Sequence, residues 1–333
     1  MWPNEDSLVG LAEYHSPMNL YVTHESALAF WLSPRARRGK ANGKREGLPS
    51  LAPTRSNIDL AWLEEWGFDV RPLHVDVGEK QQVRRRPDLV AHLAGGQVQA
   101  GSYEHIAADV WAASPELCFC QIAGTVSLIE AVKTGYELCA HYRIEPSDMR
   151  GFEGREPVTT ASRLQAFAQR YGGKGAKGAK AARVAAKYIR GAAASPMETA
   201  AAMLLTLPRY YGGFGLPACK MNYPVYVAGP DGRGGNARML YGDMVWPDRR
   251  VIVEYDSDFF HQGSERIHAD AARRNAFLGA GWKVFTLTKR QLYSVEECEV
   301  FVAQLARALR AYNAHATPQA MERRHELRQL VLG

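Results

Sequence analysis

Two apolar segments separated by a four-residue turn place the strongest constraint on how this chain can fold. The segments RMLYGDMVW (238–246) and VIVEYD (251–256) flank Pro-Asp-Arg-Arg, and proline and aspartate are residues that favour turns. If Trp246 pairs with Val251 in an antiparallel hairpin, every other pair is fixed, because opposed residue numbers keep a constant sum. The sequence therefore predicts a hairpin of known register.

This register brings acidic side chains together. Asp243 lies opposite Glu254 with Cβ atoms about 5 Å apart, and Asp256 points to the same face as Glu254 because side chains alternate along a strand. Directly opposed like charges destabilise a sheet by up to about 1 kcal/mol, whereas a divalent cation between them reverses the sign of the interaction. Asp243, Glu254 and Asp256 are thus candidate ligands of Mg²⁺ or Mn²⁺. The alternative is that the acids lie at exposed strand ends, or that the register differs by one residue.

The segments around the hairpin predict a small α/β domain. Ser195-Pro196 begins a helix, SPMETAAAMLLTL, with a capping serine and a proline at the first helical position. The strand NYPVYVA follows, then the hairpin, a helix from Ser264 to Gly281, the strand WKVFTLT and a last helix from Ser294. A three-stranded meander joined by a crossover helix to a fourth strand forms an α/β sheet flanked by helices.

A strongly basic stretch precedes this domain. From 163 to 194 there are eight basic residues and no acidic ones, a charge of +8 against +6 for the whole chain. Glycines alternate with lysines at its centre and an alanine-rich run follows, which predicts a flexible hinge leading into a helix over residues 161–194. The hinge is either a solvated linker or a contact to nucleic-acid phosphates. In the second case the candidate residues are Lys174, Lys177, Lys180, Arg183 and Lys187.

The first 160 residues predict a mixed α+β domain. A strand-like YVTHE precedes the helical SALAFW, LHVDV alternates as a strand does, and Ser114-Pro115 begins another helix. Trp62, Trp66 and Phe68 could stack on bases, although core packing is the favoured explanation.

His24, Glu25 and Ser26 raise the question of nucleophilic catalysis. Histidine and serine so close at a strand-to-helix boundary are more often capping residues than catalytic ones. We therefore expect a structural role for this tripeptide.

Several classes of protein are disfavoured by composition. No run of about 18 apolar residues could span a membrane, and the acidic residues near Met1 do not suit a signal peptide. The five cysteines include one CxC pair but no CxxC, so neither a disulfide framework nor a zinc ribbon is indicated. We expect a cytoplasmic protein without a membrane partner.

Three of these segments carry a resemblance to a known family. SPMETAAAMLL, YGDMVWPDRRVIVEYDSDFFHQ and HADAARRNAFLGAGWKVFTLT resemble, in order and spacing, the PD-(D/E)XK endonuclease domain related to very-short-patch repair endonucleases, as found at the C-terminus of AbiEi-like abortive-infection proteins. The similarity covers about 100 of the 333 residues. It implies a restriction-endonuclease-like sheet, hydrolysis of DNA, and the following site residues: Asp243 and Glu254 as metal ligands, Asp256 at the third motif position, Glu198 on the preceding helix and His261 nearby.

The sequence departs from the family motif at Asp256, where many such nucleases have a lysine. The missing positive charge must come from elsewhere, and the candidates are His261, Arg273, Arg274 and Lys283. Arg273 and Arg274 could also contact the phosphate backbone of the substrate, or Arg273 could form a simple helical ion pair with Asp270.

Glu198 has a second explanation as well. Ser195-x-x-Glu198 matches a capping box, in which the glutamate returns a hydrogen bond to the cap residue. The same pattern recurs at Ser294-x-x-Glu297, where no site is expected.

The predicted organisation is a recognition or partner domain (1–160), a basic hinge and helix (161–194) and a nuclease-like domain with a C-terminal helix (195–333). The first domain loosely resembles the one that precedes the nuclease in AbiEi-like proteins, without their winged-helix segment. We expect a metal-dependent endonuclease acting on DNA, in phage defence or a toxin–antitoxin system, whose first domain recognises the target or a protein partner. The alternative is a regulator or antitoxin that binds nucleic acid without cleaving it.

Overall fold

The computed structural model describes residues 19–36, 54, 56, 58–94, 99, 101–107, 109–173, 176–227, 237–256, 264–311 and 317–333. The chain divides into two compact units. The first comprises residues 1–139 and 157–187, and the second comprises residues 140–156 and 188–333. Both contain helices and strands, which confirms the expected α/β class.

The first unit is built on a six-stranded mixed sheet. Its strands are β1 (Leu20–Val22), β2 (Leu73–Val77), β3 (Arg84–Arg85), β4 (Leu89–Leu93), β5 (Tyr103–Ala107) and β6 (Val110–Ala113). They are ordered β3-β4-β2-β1-β6-β5. The pairs β2–β4 and β1–β6 are parallel and the remaining pairs are antiparallel. The predicted strand LHVDV is therefore an inner strand of this sheet.

Six α-helices accompany this sheet in the described part of the first unit. They are α1 (His24–Leu32), α2 (Leu60–Glu65), α3 (Pro115–Ile122), α4 (Leu128–Leu138), α5 (Ala161–Arg170) and α6 (Ala179–Ala186). All eight residues of α3 are buried, as expected of a core helix, and Ser114 caps it by accepting a hydrogen bond from the Leu117 N–H. Trp62, Trp66 and Phe68 are also buried, which supports core packing rather than base stacking.

The basic stretch contributes both α5 and α6 to the first unit. Leu164 and Phe167 of α5 are buried, and so are Ala182 and Ala185 of α6. The two helices are tied together by the Gln165 side chain, which donates to the Ala186 carbonyl. This stretch is therefore largely packed secondary structure, where the sequence suggested a flexible hinge, because its alanines and scattered apolar residues form buried faces.

The second unit begins with a hairpin and a helix. The strands β7 (Tyr142–Ile144) and β8 (Phe152–Gly154) pair antiparallel, and the helix α7 (Pro196–Thr206) starts at the predicted Ser-Pro. The Tyr142 hydroxyl donates to the Thr199 hydroxyl at 3.0 Å, which joins the hairpin to α7.

The remaining elements follow in the predicted order. They are β9 (Lys220–Val227), β10 (Arg238–Trp246), β11 (Val251–Asp256), α8 (Ser264–Gly279), β12 (Lys283–Thr288), α9 (Lys289–Tyr293), α10 (Val295–Leu309) and α11 (Pro318–Leu332). The four strands form one sheet in the order β12-β11-β10-β9, antiparallel except for the parallel pair β11–β12. The meander and the crossover helix α8 are thus confirmed.

One face of this sheet packs against α8. Its buried core consists of Val225, Val227, Val245, Ile252 and Phe277. Glu254 follows Ile252 by two residues, so it belongs to the face that α8 covers.

The C-terminal helix α11 is anchored by arginines. The Arg328 guanidinium donates to the carbonyls of Leu292 and Tyr293, and Arg324 pairs with Glu299 at 2.9 Å and stacks over the Phe214 ring. Among the residues that the structure describes, none of the helices is both long enough and apolar enough to cross a membrane.

Candidate active site

The β10–β11 hairpin has the register that its turn predicts. Trp246 pairs with Val251, Val245 with Ile252 and Met244 with Val253. Arg250 closes the turn in the left-handed region, with φ of 51°. The constant sum of opposed positions therefore places Asp243 across from Glu254.

Hydrogen bonds confirm that these two acids are neighbours. The Asp243 N–H donates to Glu254 Oε1 at 3.3 Å, and the Tyr255 N–H donates to Asp243 Oδ2 at 2.8 Å. Each carboxylate is held by the backbone of the opposite strand, so both side chains have fixed directions. The alternative of a register shifted by one residue is excluded.

Glu198 reaches the same place from α7. Its carboxylate accepts hydrogen bonds from the Ala194 N–H (2.8 Å), the Ser195 hydroxyl (3.1 Å) and the Asn222 side-chain amide (3.0 Å). Ser195 caps the helix by accepting from the Glu198 N–H. In a capping box the glutamate accepts from the backbone N–H of the cap residue, but here it accepts from the backbone N–H of Ala194. Glu198 thus shapes the helix start, and it also lines the cleft described next.

The three acids share a cleft of about 660 Å³. Its other polar lining residues come from the end of β11, from α8 and from β12. The full polar set is Glu198, Asp243, Glu254, Tyr255, Asp256, Asp270, Arg273, Arg274 and Thr286. Asp256 is exposed at the end of its strand, whereas Glu198 is buried. Asp256 thus lies at the rim of the cleft, whereas Glu198, Asp243 and Glu254 lie deeper.

The electrostatics of the cleft disfavour a full set of negative charges. Burial, followed by the charges of Glu198 and Glu254, raises the pKa of Asp243 well above its usual range. Burial also raises the pKa of Glu198, and the charge of Glu254 adds to this effect although three hydrogen bonds oppose it. A cation is needed for these carboxylates to be ionised together.

Arg273 supplies one such positive charge. Its Nε donates to Glu254 Oε2 at 2.8 Å, and its Nη2 donates to the Tyr241 carbonyl. Desolvation lowers the pKa of Arg273, but the hydrogen bond and charge of Glu254, with Asp243 and Asp270, outweigh this and raise it. Of the candidate cations that the structure describes, Arg273 is the one that lies against Glu254.

The other candidate cations are placed differently. Arg274 lines the cleft and donates to the Thr286 hydroxyl at 3.0 Å. Lys283 pairs with Val251 in the parallel register, in which Glu254 pairs with Thr286, so Lys283 lies on the opposite face of the sheet from Glu254. His261 and Lys174 lie outside the described residues.

The predicted phosphate-binding residues of the basic stretch, as far as they are described, lie on the first unit. Lys177, Lys180 and Lys187 are exposed and Arg183 is half-buried. Lys180, Arg183 and Lys187 follow helical spacing on the face of α6 away from its buried alanines. Arg183 and Lys187 also line a groove of about 500 Å³ with Ser162, Gln165, Ala166 and Gln169 of α5.

Sequence reasoning did not single out Asn222. It lies next to Asp243 in the β9–β10 register, and its side chain bridges the Ala192 carbonyl and Glu198. Its backbone is left-handed, with φ of 43°, a conformation that asparagine tolerates better than most residues. The sequence signal that could have identified Asn222 is an asparagine near the start of a predicted strand, opposite a predicted site acid.

Comparison with known proteins gives few relatives. No protein-family model matches the chain, and no solved structure matches it. Two uncharacterized proteins of Mycobacterium tuberculosis, MT2308 of strain CDC 1551 / Oshkosh and Rv2248 of strain ATCC 25618 / H37Rv, are each 31% identical over 111 residues. The match covers 33% of this chain and 36% of each relative, so this chain spans about a third of their length.

Proposed function

We propose that this chain is a metal-dependent endonuclease that hydrolyses phosphodiester bonds in DNA, with its active site in the cleft of the second unit. The observation that carries this proposal is the convergence of Asp243, Glu254 and Glu198 beside Arg273. Such a cluster of acids, of which Glu198 is buried and Asp243 and Glu254 are half-buried, is costly for stability unless a cation compensates it. The resemblance to PD-(D/E)XK endonucleases adds the substrate class.

The donor set of the cleft fits Mg²⁺ or Mn²⁺. Asp243 and Glu254 offer hard carboxylate oxygens, and Mg²⁺ is typically held by one or two carboxylates while it keeps several waters. The chemistry that this ion supplies when bound is polarisation of a phosphate oxygen and a lower pKa for an attacking water. Asp256, at the rim, is the third candidate ligand.

The remaining residues orient the groups of the cleft and neutralise negative charge in it. Asn222 and the Ala194 N–H fix the Glu198 carboxylate, which can then accept a hydrogen bond from a water in the cleft. Arg273 is held by Glu254 and the Tyr241 carbonyl, so its guanidinium is preorganised to offset negative charge on a bound phosphate. Arg274 lies on the next position of α8 and can contact the phosphate backbone.

The test is cleavage of plasmid and of single-stranded DNA by the full chain in Mg²⁺, Mn²⁺ or EDTA. We expect metal-dependent cleavage that falls at least about a hundredfold in Asp243→Asn and in Glu254→Gln. Asp248→Asn is the matched control, because Asp248 is an exposed carboxylate in the turn of the same hairpin. Equal activity of Asp243→Asn and Asp248→Asn would reject the site.

A second candidate function is binding of nucleic acid without cleavage, as in a regulator or antitoxin. Two features favour it. Asp256 stands where many PD-(D/E)XK nucleases have a lysine, and Arg273 already donates a hydrogen bond to one oxygen of Glu254. In that case DNA is retained in a gel-shift assay with either Mg²⁺ or EDTA and is never cut. The roles in phage defence and in a toxin–antitoxin system remain proposals that follow from the resemblance.

A further inference from the structure

Three histidines of the first unit meet at one side of its sheet. His24 is the first residue of α1, His74 lies in β2 and His92 in β4. The strands β2 and β4 are parallel neighbours in which His92 pairs with Asp76, so His74 and His92 point to the same face. Within the part of the chain that the structure describes, this is the one place where three histidine, cysteine or carboxylate ligand atoms lie within 4.8 Å of one another.

We propose that His24, His74 and His92, together with Glu25, bind one divalent transition-metal ion of the Zn²⁺ type. The site is separate from the acidic cleft and does not rest on the nuclease proposal. Three imidazoles and one carboxylate form a ligand set that suits Zn²⁺, Co²⁺ or Ni²⁺ and that Mg²⁺ does not favour.

The ligand atoms of the three histidines all lie within 4.8 Å of one another, and Glu25 joins this group through its contact with His74. His92 Nε2 lies 3.0 Å from His74 Nδ1, and Glu25 Oε2 lies 3.1 Å from the same nitrogen. Zn–N bonds of 2.0–2.1 Å in tetrahedral geometry separate ligand atoms by roughly 3.3 Å. The His24 ring is stacked on His92 at 3.8 Å between centroids. Because a ligand nitrogen aims in the plane of its ring, binding requires the His24 ring to tilt out of this stack.

The surroundings prepare His24 to be a ligand. Its Nδ1 lies 3.0 Å from the Thr23 hydroxyl, which leaves Nε2 for an ion and resembles the outer-shell contact that orients metal-bound histidines. Its backbone is left-handed, with φ of 50°. The Gln121 side chain accepts from its N–H, and the Cys118 thiol donates to its carbonyl. A strained backbone fixed from two sides is a common feature of functional sites.

The charged residues around the three histidines affect how readily a divalent ion binds there. The His24 and His92 rings are both half-buried. Lys177 adds positive charge near both rings and Arg85 near His92, while Glu25 and Asp69 add negative charge near His74. Glu25 is therefore needed to offset Lys177 when a divalent ion binds.

Cobalt gives the most direct test. The full chain is stripped with chelator, dialysed and titrated with Co²⁺, and the visible absorption is followed. Four-coordinate Co²⁺ absorbs strongly, whereas Co²⁺ bound only by carboxylates and water is six-coordinate and absorbs weakly. We expect one equivalent to give the strong band, and one equivalent of Zn²⁺ to abolish it.

Variants locate the ion. His74→Ala and His92→Phe, the latter preserving the ring that stacks on His24, should each weaken Co²⁺ binding at least tenfold. His325→Ala is the matched control, because His325 is an exposed histidine of α11 in the other unit. The double variant Asp243→Asn/Glu254→Gln should keep the band, which separates this site from the acidic cleft.

Two results would overturn the proposal. The first is a wild-type chain, folded by circular dichroism, that binds Co²⁺ without the four-coordinate band. The second is a band that persists in folded His92→Phe or disappears in Asp243→Asn/Glu254→Gln, because the ion would then lie elsewhere. Circular dichroism of each metal-free variant distinguishes loss of a ligand from loss of the fold.

Discussion

Arg273 donates to a carboxylate of the cleft and to a backbone carbonyl at once. Its guanidinium donates to Glu254 and to the Tyr241 carbonyl, and its Cζ lies over the Phe277 ring, 5.5 Å from the centroid. A planar fork with several donors suits this geometry, whereas an ammonium group makes only point contacts. The residue can therefore neutralise the cleft without coming from the strand that carries the acids.

Replacement of Arg273 tests this role. We expect Arg273→Ala to lower the cleavage rate by about a hundredfold, because a preorganised donor to developing phosphate charge is lost. Arg273→Lys should recover only part of that loss, since lysine cannot hold both partners. Single-turnover cleavage in Mg²⁺ gives the rates, and Arg249→Ala, an exposed arginine of the hairpin turn, is the control. If Arg273→Ala cleaved DNA faster than wild type, the ion pair of Arg273 with Glu254 would be inhibitory instead.

Asn222 allows backbone strain to be separated from hydrogen bonding. Both Asn222→Gly and Asn222→Ala lose the bonds to the Ala192 carbonyl and to Glu198, at a cost of roughly 1–3 kcal/mol in unfolding free energy. Alanine also has to adopt φ near 43°, which costs roughly 1 kcal/mol more than glycine. Denaturant unfolding measures both differences. Wild-type stability in Asn222→Gly would show that the amide does not hold Glu198.

At the level of elements, the register of the hairpin was predictable, whereas the cation that lies against Glu254 was not. The turn between Trp246 and Val251 is so short that it fixes the register, and the register in turn fixes which acids oppose each other. Which cation approaches Glu254 depends on how α8 packs across the sheet, and nothing local in the sequence specifies that packing. The same is true of Lys283, whose face is set by its parallel pairing with Val251.

The basic segment shows a second limit of prediction. Glycines and lysines suggested flexibility, but Gly178 packs closely against the C-terminal part of α3 and against Gly124, two residues beyond its end. Likewise, the histidines of β2 and β4 are 18 residues apart, and only the parallel pairing of those strands brings them together. Long-range pairing of this kind leaves little trace in a single sequence.

Gly178 is the sharpest test of this packing. Its φ is +80°, and an added Cβ would lie 2.1 Å from the Cys120 carbonyl oxygen and 2.8 Å from the Gly124 nitrogen. Gly178→Ala should therefore destabilise the first unit by roughly 3 kcal/mol, through left-handed strain and overpacking against backbone. Gly172→Ala is the matched control, since Cβ there meets nothing within 4 Å. Equal thermal unfolding of the two variants would mean that α6 does not pack on α3 in this way.

For the whole molecule, the two units carry complementary parts of the proposed function. The second unit holds the acidic cleft, and the first holds the basic face of α6. This face belongs to the basic stretch, whose charge of +8 exceeds the net charge of +6 of the entire chain. Carboxylates that bind a cation also repel the phosphates around the scissile bond, so affinity for DNA has to come mainly from positive residues outside the cleft. The face formed by Lys180, Arg183 and Lys187 can provide it.

The salt dependence of DNA binding measures this contribution. Each phosphate contact that is lost reduces the slope of log K against log salt by about 0.9 for duplex DNA, so Lys180→Ala/Arg183→Ala/Lys187→Ala should reduce it by up to about 2.7. Fluorescence anisotropy with a labelled duplex in Ca²⁺ or EDTA gives the slopes without requiring cleavage. The control triple variant removes the exposed residues Arg249, Lys289 and Arg307 of the second unit. If both triple variants changed the slope equally, binding would follow net charge alone, and the α6 face would have no specific role in holding DNA.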